Sequence, residues 1–175
     1  MKIKSLLPLI FFATACFGLA QCAALKKQEN RTEITNESEE KIDKETRLRN
    51  DIAHFAHQQI GTKYVYAGKN PTGFDCSGFV FFVMNKYGIS LPGSSASQEK
   101  HGKSISPKSA KPGDLIFFRR KKNGKVFHVA IVYSNDSEGL QVIHSTSSRG
   151  VVLDNISHNT YWKTKISTSR SVVSG

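Results

Sequence analysis

Gly73-Phe74-Asp75-Cys76-Ser77-Gly78-Phe79 stands where a polar, glycine-containing loop (67–73) gives way to an apolar run, Phe79-Val80-Phe81-Phe82-Val83-Met84. That run is too continuous to be amphipathic. It predicts a helix buried on most sides, from Cys76 to about Tyr87, stopped by Gly88. A thiol in the first helical turn faces free backbone N–H groups and the positive end of the helix dipole. Both favour the thiolate, which is the nucleophilic form. The plain alternative is a small buried hydrophobe, because free cysteine is among the most buried residue types.

The cysteine count bears on that choice. The chain has three cysteines, and two of them, Cys16 and Cys22, lie near its start. Met1-Lys2-Ile3-Lys4 followed by an apolar stretch from Leu6 to Ala15 reads as a secretory signal, too short to span a bilayer. Ala13-Thr14-Ala15-Cys16 and Leu19-Ala20-Gln21-Cys22 each resemble in part the lipobox of bacterial lipoproteins, in which the cysteine is acylated. Simple cleavage after Ala15 is the alternative. Residues 1–22 are therefore assigned to export, with Cys22 or Cys16 as the lipidation site. Cys76 is left as the lone thiol of an exported domain, where an unpaired cysteine is a candidate reactive group.

Charge divides the chain. Residues 23–50 carry seven basic and seven acidic side chains, whereas 51–175 carry 16 Lys and Arg against 7 Asp and Glu. The 23–44 stretch is polar and has no aromatic residue, so it reads as a tether. The positive field belongs to the domain at 45–175 and attracts polyanions. In an exported protein these are anionic envelope polymers rather than nucleic acid. The densest basic run, Arg119-Arg120-Lys121-Lys122 beside Asn123-Gly124, reads as a solvated hairpin tip.

Leu48, Ile52, Phe55, Ala56 and Ile60 recur at helical spacing and predict a first helix over 45–60, which the Glu-rich stretch from 37 can extend backwards. Ser94 to His101 predicts a short helix. Strands are predicted at 115–118, 126–133, 140–144, 150–153 and within 163–173. Helices first and strands after imply an α+β domain whose sheet is mainly antiparallel, with about five strands. No internal repeat, nucleotide-binding glycine motif or zinc-ligand pairing is present.

A cysteine nucleophile needs a base, and the base needs orienting. Four of the six histidines, His54, His57, His101 and His158, sit at polar or terminal positions. His128 and His144 instead interrupt apolar strands. Alternation puts His128, Ala130 and Val132 on one face and Phe127, Val129, Ile131 and Tyr133 on the other. A turn at 135–139 would bring His128 and His144 nearly opposite each other. One can then face Cys76 while the other holds its tautomer. A His-His-Cys metal site is the rival arrangement.

The run Gly61-Thr62-Lys63-Tyr64, then Gly68, then Gly73-Phe74-Asp75-Cys76-Ser77-Gly78-Phe79-Val80 resembles the start of the NlpC/P60 peptidoglycan endopeptidases. So, in the same order, do Gly88-Ile89-Ser90-Leu91-Pro92, Ser95-Ala96-Ser97-Gln98, Pro112-Gly113-Asp114-Leu115-Ile116-Phe117-Phe118, His128-Val129-Ala130-Ile131-Val132 and Val142-Ile143-His144-Ser145. The resemblance implies a papain-like α+β fold with Cys76 as nucleophile, His128 as general base and His144 as the residue orienting it. It implies that Tyr64 and the Cys76 N–H hold the oxyanion. Asp75 and Ser77 match positions that in some members contact the stem peptide; helix capping is the other reading of Asp75. Two positions depart from the pattern: Ala67-Gly68 replaces a glycine pair, and Gly93 follows Leu91-Pro92.

The implied reaction is hydrolysis of the bond from D-glutamate to diaminopimelate or lysine, with no cofactor and no metal. An amidase or acyltransferase on the same fold, and a wall-binding lipoprotein with a dead site, are the rivals. The implied partners are peptidoglycan stem peptides and, through a lipid anchor, a membrane. The expected protein is a monomer in the cell envelope, facing the periplasm or the cell exterior.

Overall fold

The computed structural model of the chain describes residues 18–173. Most of residues 1–22, expected to direct export, including Cys16, lies outside those residues, as does the side chain of Cys22. The chain divides into two compact units, 1–41 and 42–175. No helix among the described residues is long and apolar enough to cross a membrane.

Helix α1 spans Gly18–His57, so it starts well before the 45 expected from its apolar spacing. Glu and Lys are strong helix formers, and i,i+4 pairs such as Arg47–Asp43 and Arg49–Glu45 add to them. Its buried side chains Ile52, Ala53 and Ala56 keep helical spacing in the second unit. After α1 come a two-stranded ribbon, β1 (Lys69–Asn70) and β2 (Gly73–Phe74), and then helix α2 (Cys76–Lys86). Short α3 (Ser95–Gln98), β3 (Lys103–Ile105) and a 3-10 turn (Pro107–Ser109) lead into the strands β4 (Leu115–Arg119), β5 (Val126–Asp136), β6 (Gly139–Thr146) and β7 (Gly150–Asn155). Helix α4 (Thr160–Lys163) and β8 (Ile166–Ser171) close the domain.

The sheet has six strands in the order β3-β8-β4-β5-β6-β7, and every pairing is antiparallel. The sixth is β3, three residues long and mostly exposed, which carries no apolar alternation to announce it. It pairs only with β8. On one face, Leu115, Phe117, Val129, Ile131, Ile143 and Val151 pack against Phe79, Val80, Val83 and Met84 of α2 and against Ile52 and Ala56 of α1. On the other, Ile116, Phe118, Ala130, Val132 and Val142 are covered by Ile156 and Trp162. Each fully buried large apolar side chain contributes about 1.5–3 kcal/mol, so these two layers hold the sheet in place.

Two polar clamps tie the helices to the rest. Arg49, almost fully buried in α1, donates to Asp114 Oδ1 at 2.7 Å and Glu45 Oε1 at 2.7 Å. It also reaches the Ser171 hydroxyl and the carbonyls of Pro112 and Val173. Gln98 donates from Nε2 to the carbonyls of Ser77 and Pro92, both at 2.9 Å, fastening α3 to the start of α2.

The basic hairpin tip is not simply a solvated turn. Arg119 pairs with Glu99 at 2.6 Å, and the Arg120 guanidinium lies 4.4 Å from the centre of the Phe127 ring. Lys121 and Lys122 are exposed.

Candidate active site

Cys76 is held by its neighbours in sequence. Asp75 is the N-cap of α2 and accepts from the Gly78 N–H at 2.6 Å and from the Ser77 hydroxyl at 3.1 Å. Such a cap is worth about 1 kcal/mol. Gly78 has no room for a side chain, because a Cβ there would sit 1.9 Å from the Gly68 carbonyl oxygen. The loop before α2 therefore lies directly on the helix start. That loop turns at Ala67, whose φ of 57° is in the left-handed region that glycine occupies without cost. Tyr64 is drawn in by backbone bonds on either side of it, Val65 N–H to Phe74 O and Phe74 N–H to Lys63 O, both 3.1 Å. The Ser145 hydroxyl donates to Phe74 O at 2.7 Å and so fixes the loop to β6 beside His144.

The histidines are held by strand register. Ser137 and Glu138 form the β5–β6 turn, with Asp136 opposite Gly139. If that register ran on unbroken, His128 and His144 would point to opposite faces. A bulge between Val132 and Ser134 absorbs Tyr133, after which Val132 faces Val142 and Ile131 faces Ile143. Both imidazoles then share a face as diagonal neighbours offset by two residues, not directly opposite as the turn alone suggested. His128 Nε2 lies 2.9 Å from His144 Nδ1. A second bulge, opposite Phe118 and Arg119 of β4, changes the face of Phe127. Alternation places it with Val129; instead it packs beside Trp162, with ring centres 6.3 Å apart and planes 10° apart.

Three neighbours of the histidines carry no sequence motif of their own. Trp162, itself part of the cleft lining, stacks on His128 at 4.6 Å between ring centres and lies 5.0 Å from His144. Asp154 Oδ2 is 2.9 Å from His144 Nε2. Arg149 forks onto the same carboxylate, Nη1 reaching Oδ1 at 3.0 Å and Nη2 reaching Oδ2. A strand prolonged two residues beyond Leu153 would have revealed Asp154, because Val152 and Asp154 then fall on the His144 face.

Tyr64, Cys76, Arg120, His128, Arg149 and Tyr161 line one cleft of about 490 Å³. His144 is fully buried behind His128. Asp75 and Ser77 do not line the cleft, and their hydrogen bonds serve the start of the helix. Among the described residues no three His, Cys, Asp or Glu side chains are grouped to hold a metal ion. Both nitrogens of His144 are engaged, and His128 has only Nδ1 left.

The electrostatics correct one expectation. Burial pushes the Cys76 thiol up and the Asp75 carboxylate adds to it, while N–H groups of Val129, Ser77 and Cys76 oppose them without prevailing. Desolvation thus outweighs the helix terminus. Burial, with His144 adding, pushes His128 well below the ordinary imidazole range. Both shifts favour a neutral thiol and a neutral imidazole in the resting site. Burial works to raise Asp154, but hydrogen bonds from His144 and Arg149 outweigh it and hold the carboxyl well below the carboxylate range. Burial, with the Asp75 charge and that of Cys76 once ionised behind it, raises the Tyr64 hydroxyl, which stays a donor.

Comparison with known proteins places this geometry. The chain is 37% identical over 113 residues to the gamma-DL-glutamyl hydrolase of Bacillus subtilis (strain 168), covering 63% of this chain and 27% of that protein. It is 35% identical over 115 residues to the murein DD-endopeptidase MepS/murein LD-carboxypeptidase of Escherichia coli (strain K12), covering 65% and 57%. The chain therefore spans less than two thirds of either relative. The crystal structure of the NlpC/p60 domain of the peptidoglycan hydrolase SagA superposes with a TM-score of 0.57 at 34% identity, covering 69% of this chain and 95% of that one. Residues 61–171, which hold Tyr64, Cys76, both histidines and Asp154, match the model of the NlpC/P60 family, and the chain belongs to that family.

Proposed function

We propose that the protein is a peptidoglycan hydrolase, a cysteine endopeptidase that cleaves stem peptides after D-glutamate. The observation that carries this is the cleft in which Cys76, His128 and Tyr64 meet, with His128 backed by His144. Family membership and the names of the relatives supply the substrate class.

Cys76 passes its proton to His128 Nδ1 as Sγ attacks the carbonyl carbon of the scissile amide. The oxyanion accepts hydrogen bonds from the Tyr64 hydroxyl and the Cys76 N–H. His128 then returns the proton to the leaving amine, and the C–N bond breaks to give a thioester. Water loses a proton to His128 and attacks the thioester; the new carboxylate leaves and the thiol re-forms. A neutral resting pair suits this course, since proton transfer and attack proceed together and no buried charge is held in advance. No step calls for a metal or cofactor. Arg120 at the cleft gives it a positive charge that suits a substrate bearing free carboxylates, Arg149 being paired with Asp154.

The proposal includes export by residues 1–22, a polar tether at 23–44, lipid anchoring at Cys22 or Cys16, and work as a monomer in the envelope. Asp75 and Ser77 would act on the substrate only through the helix start that they cap.

A second reading of the scissile bond comes from the Escherichia coli relative, whose name specifies DD-endopeptidase and LD-carboxypeptidase action. Digestion of purified peptidoglycan by the parent and Cys76→Ala, read by mass spectrometry, decides. Fragments newly ending in D-glutamate are expected from the parent alone. Cleaved cross-links with intact stems, or loss of a terminal D-alanine, support the second reading. Released lactyl-free stems indicate an amidase, and equal product from both proteins ends the cysteine mechanism.

A further inference from the structure

Among the described residues, Asp154 is the one carboxylate hydrogen-bonded to the histidine pair, and the reaction course above gives it nothing to do. We infer that Asp154, gripped by Arg149, is a positioning residue that fixes the tautomers of His144 and His128, so that His128 offers an unprotonated Nδ1 to Cys76. This rests on the reading of Cys76 and His128 as nucleophile and base.

The direction of each hydrogen bond follows from the first. An ionised carboxylate can only accept. The 2.9 Å contact between Asp154 Oδ2 and His144 Nε2 therefore requires the proton on Nε2. With His144 as a neutral imidazole, which carries one N–H, its Nδ1 is an acceptor. The 2.9 Å contact between the rings then requires His128 Nε2 to donate. That spends the single proton of His128 and leaves its Nδ1 lone pair free. Reversing any link would put a proton on Nδ1 and remove the base.

The setting keeps the order from reversing. His144 is fully buried, so no bulk water can replace Asp154 as its partner. The β6–β7 pairing sets Val142 opposite Asp154 and His144 opposite Val152, which puts Asp154 beside His144 on the same face. Arg149 leaves the short turn between these strands and binds both carboxylate oxygens. A forked guanidinium holds a carboxylate in plane as well as ionised. Arg149 and Asp154 together are thus the origin of the proton order that ends at the thiol.

Asp154→Asn tests this, because Arg149 keeps the amide oxygen on its own side and turns the NH2 toward His144 Nε2. Every bond in the row then reverses. Imidazole nitrogen NMR on the full chain is expected to show His144 as the Nε2–H tautomer in the parent and the Nδ1–H tautomer in Asp154→Asn. Turnover of a stem peptide is expected to fall on the order of 100-fold or more, as a wrong tautomer does elsewhere, with KM changed less than about twofold. Asp154→Glu, which can still accept, is expected to keep the parent tautomer and recover part of the turnover. A parent spectrum with the proton on His144 Nδ1 overturns the inference, and this measurement needs no variant to fold. Parent-like turnover in Asp154→Asn overturns it too, as does lost turnover with unchanged tautomers, which would leave Asp154 a packing role. Full activity in Cys76→Ala would instead defeat the underlying mechanism, whatever the tautomers.

Discussion

Arg49–Asp114 and Arg149–Asp154 are built from the same two residue types and sit in opposite settings. The first joins α1 to the turn before β4, with side-chain exposures of 7% and 2%. Its guanidinium has five acceptors, and Asp114 also takes the Lys111 N–H at 2.8 Å. The second stands at the cleft, where Arg149 is 49% exposed and Asp154 13%. There the carboxylate is divided between a cation and a buried imidazole. Saturation makes the first pair a structural clamp. The shared oxygen makes the second a device that passes orientation inward to His144. What an Arg–Asp pair does is set less by its charges than by what else the carboxylate touches.

The largest expected effect is on the clamp. Asp114→Ala leaves Arg49 charged and buried without its main partner, which costs about 3–5 kcal/mol. Urea unfolding checks this, and the folded fraction should keep the parent turnover. A loss under about 1 kcal/mol would erase the contrast between the pairs.

Replacing each arginine by lysine sharpens the contrast. Lysine is a compact charge and cannot fork. Arg49→Lys forfeits several buried hydrogen bonds, each worth about 1 kcal/mol, so a loss of about 2 kcal/mol is expected. Arg149→Lys at an exposed pair should change stability by less than about 0.5 kcal/mol. Equal losses in thermal or urea melts would show that exposure is not what separates the two.

Next comes pH, because the site pair works on an uncharged Cys–His unit. With the thiol raised, the rate of Cys76 alkylation by iodoacetamide should rise with pH to an inflexion above the ordinary thiol value of about 8.5. With His128 lowered, protonation removes the base only below the ordinary imidazole value of about 6.5, so the acid limb of kcat/KM lies beneath it. An alkylation inflexion near pH 7 would mean a resting thiolate and would break the neutral-pair account. The same depression of His128 makes the unfolded chain bind the extra proton first. Stability should therefore fall as pH drops through about 6.5.

A further small effect touches neither pair and has the opposite sign. Ala67→Gly relieves a left-handed alanine at a cost of added freedom in the unfolded chain. The net gain expected is about 0.5 kcal/mol in urea unfolding. A loss of stability would mean that the alanine methyl does more for the loop than its backbone costs.

The nucleophile side was legible because its causes are contiguous. Glycine, cap, thiol and apolar run follow one another, and the observed α2 begins at the expected Cys76. The base side was legible only to the level of faces. Period-two alternation identified His128 and His144 as partners, and the error of two residues in register left parity intact. A bulge defeats alternation, so Phe127 was placed on the wrong face. Asp154 lay beyond the expected end of its strand, and nothing in the sequence singled out Arg149. Trp162 acts on the histidines from α4, which precedes β8 and leaves no apolar pattern pointing back to β5.

The amino-acid sequence by itself determined the α+β class, the family, the helix that starts at Cys76 and the strands that carry the two histidines. Those follow from local propensity, periodicity and short ordered motifs. Only the tertiary structure decided how the histidines meet. The Tyr133 bulge sets their parity, the β6–β7 pairing brings Asp154 to His144, and Trp162 packs its ring against both. It also decided which way the thiol shifts. A helix terminus favours thiolate wherever it stands, but the burial that opposes it exists only once the sheet and α2 have closed around Cys76.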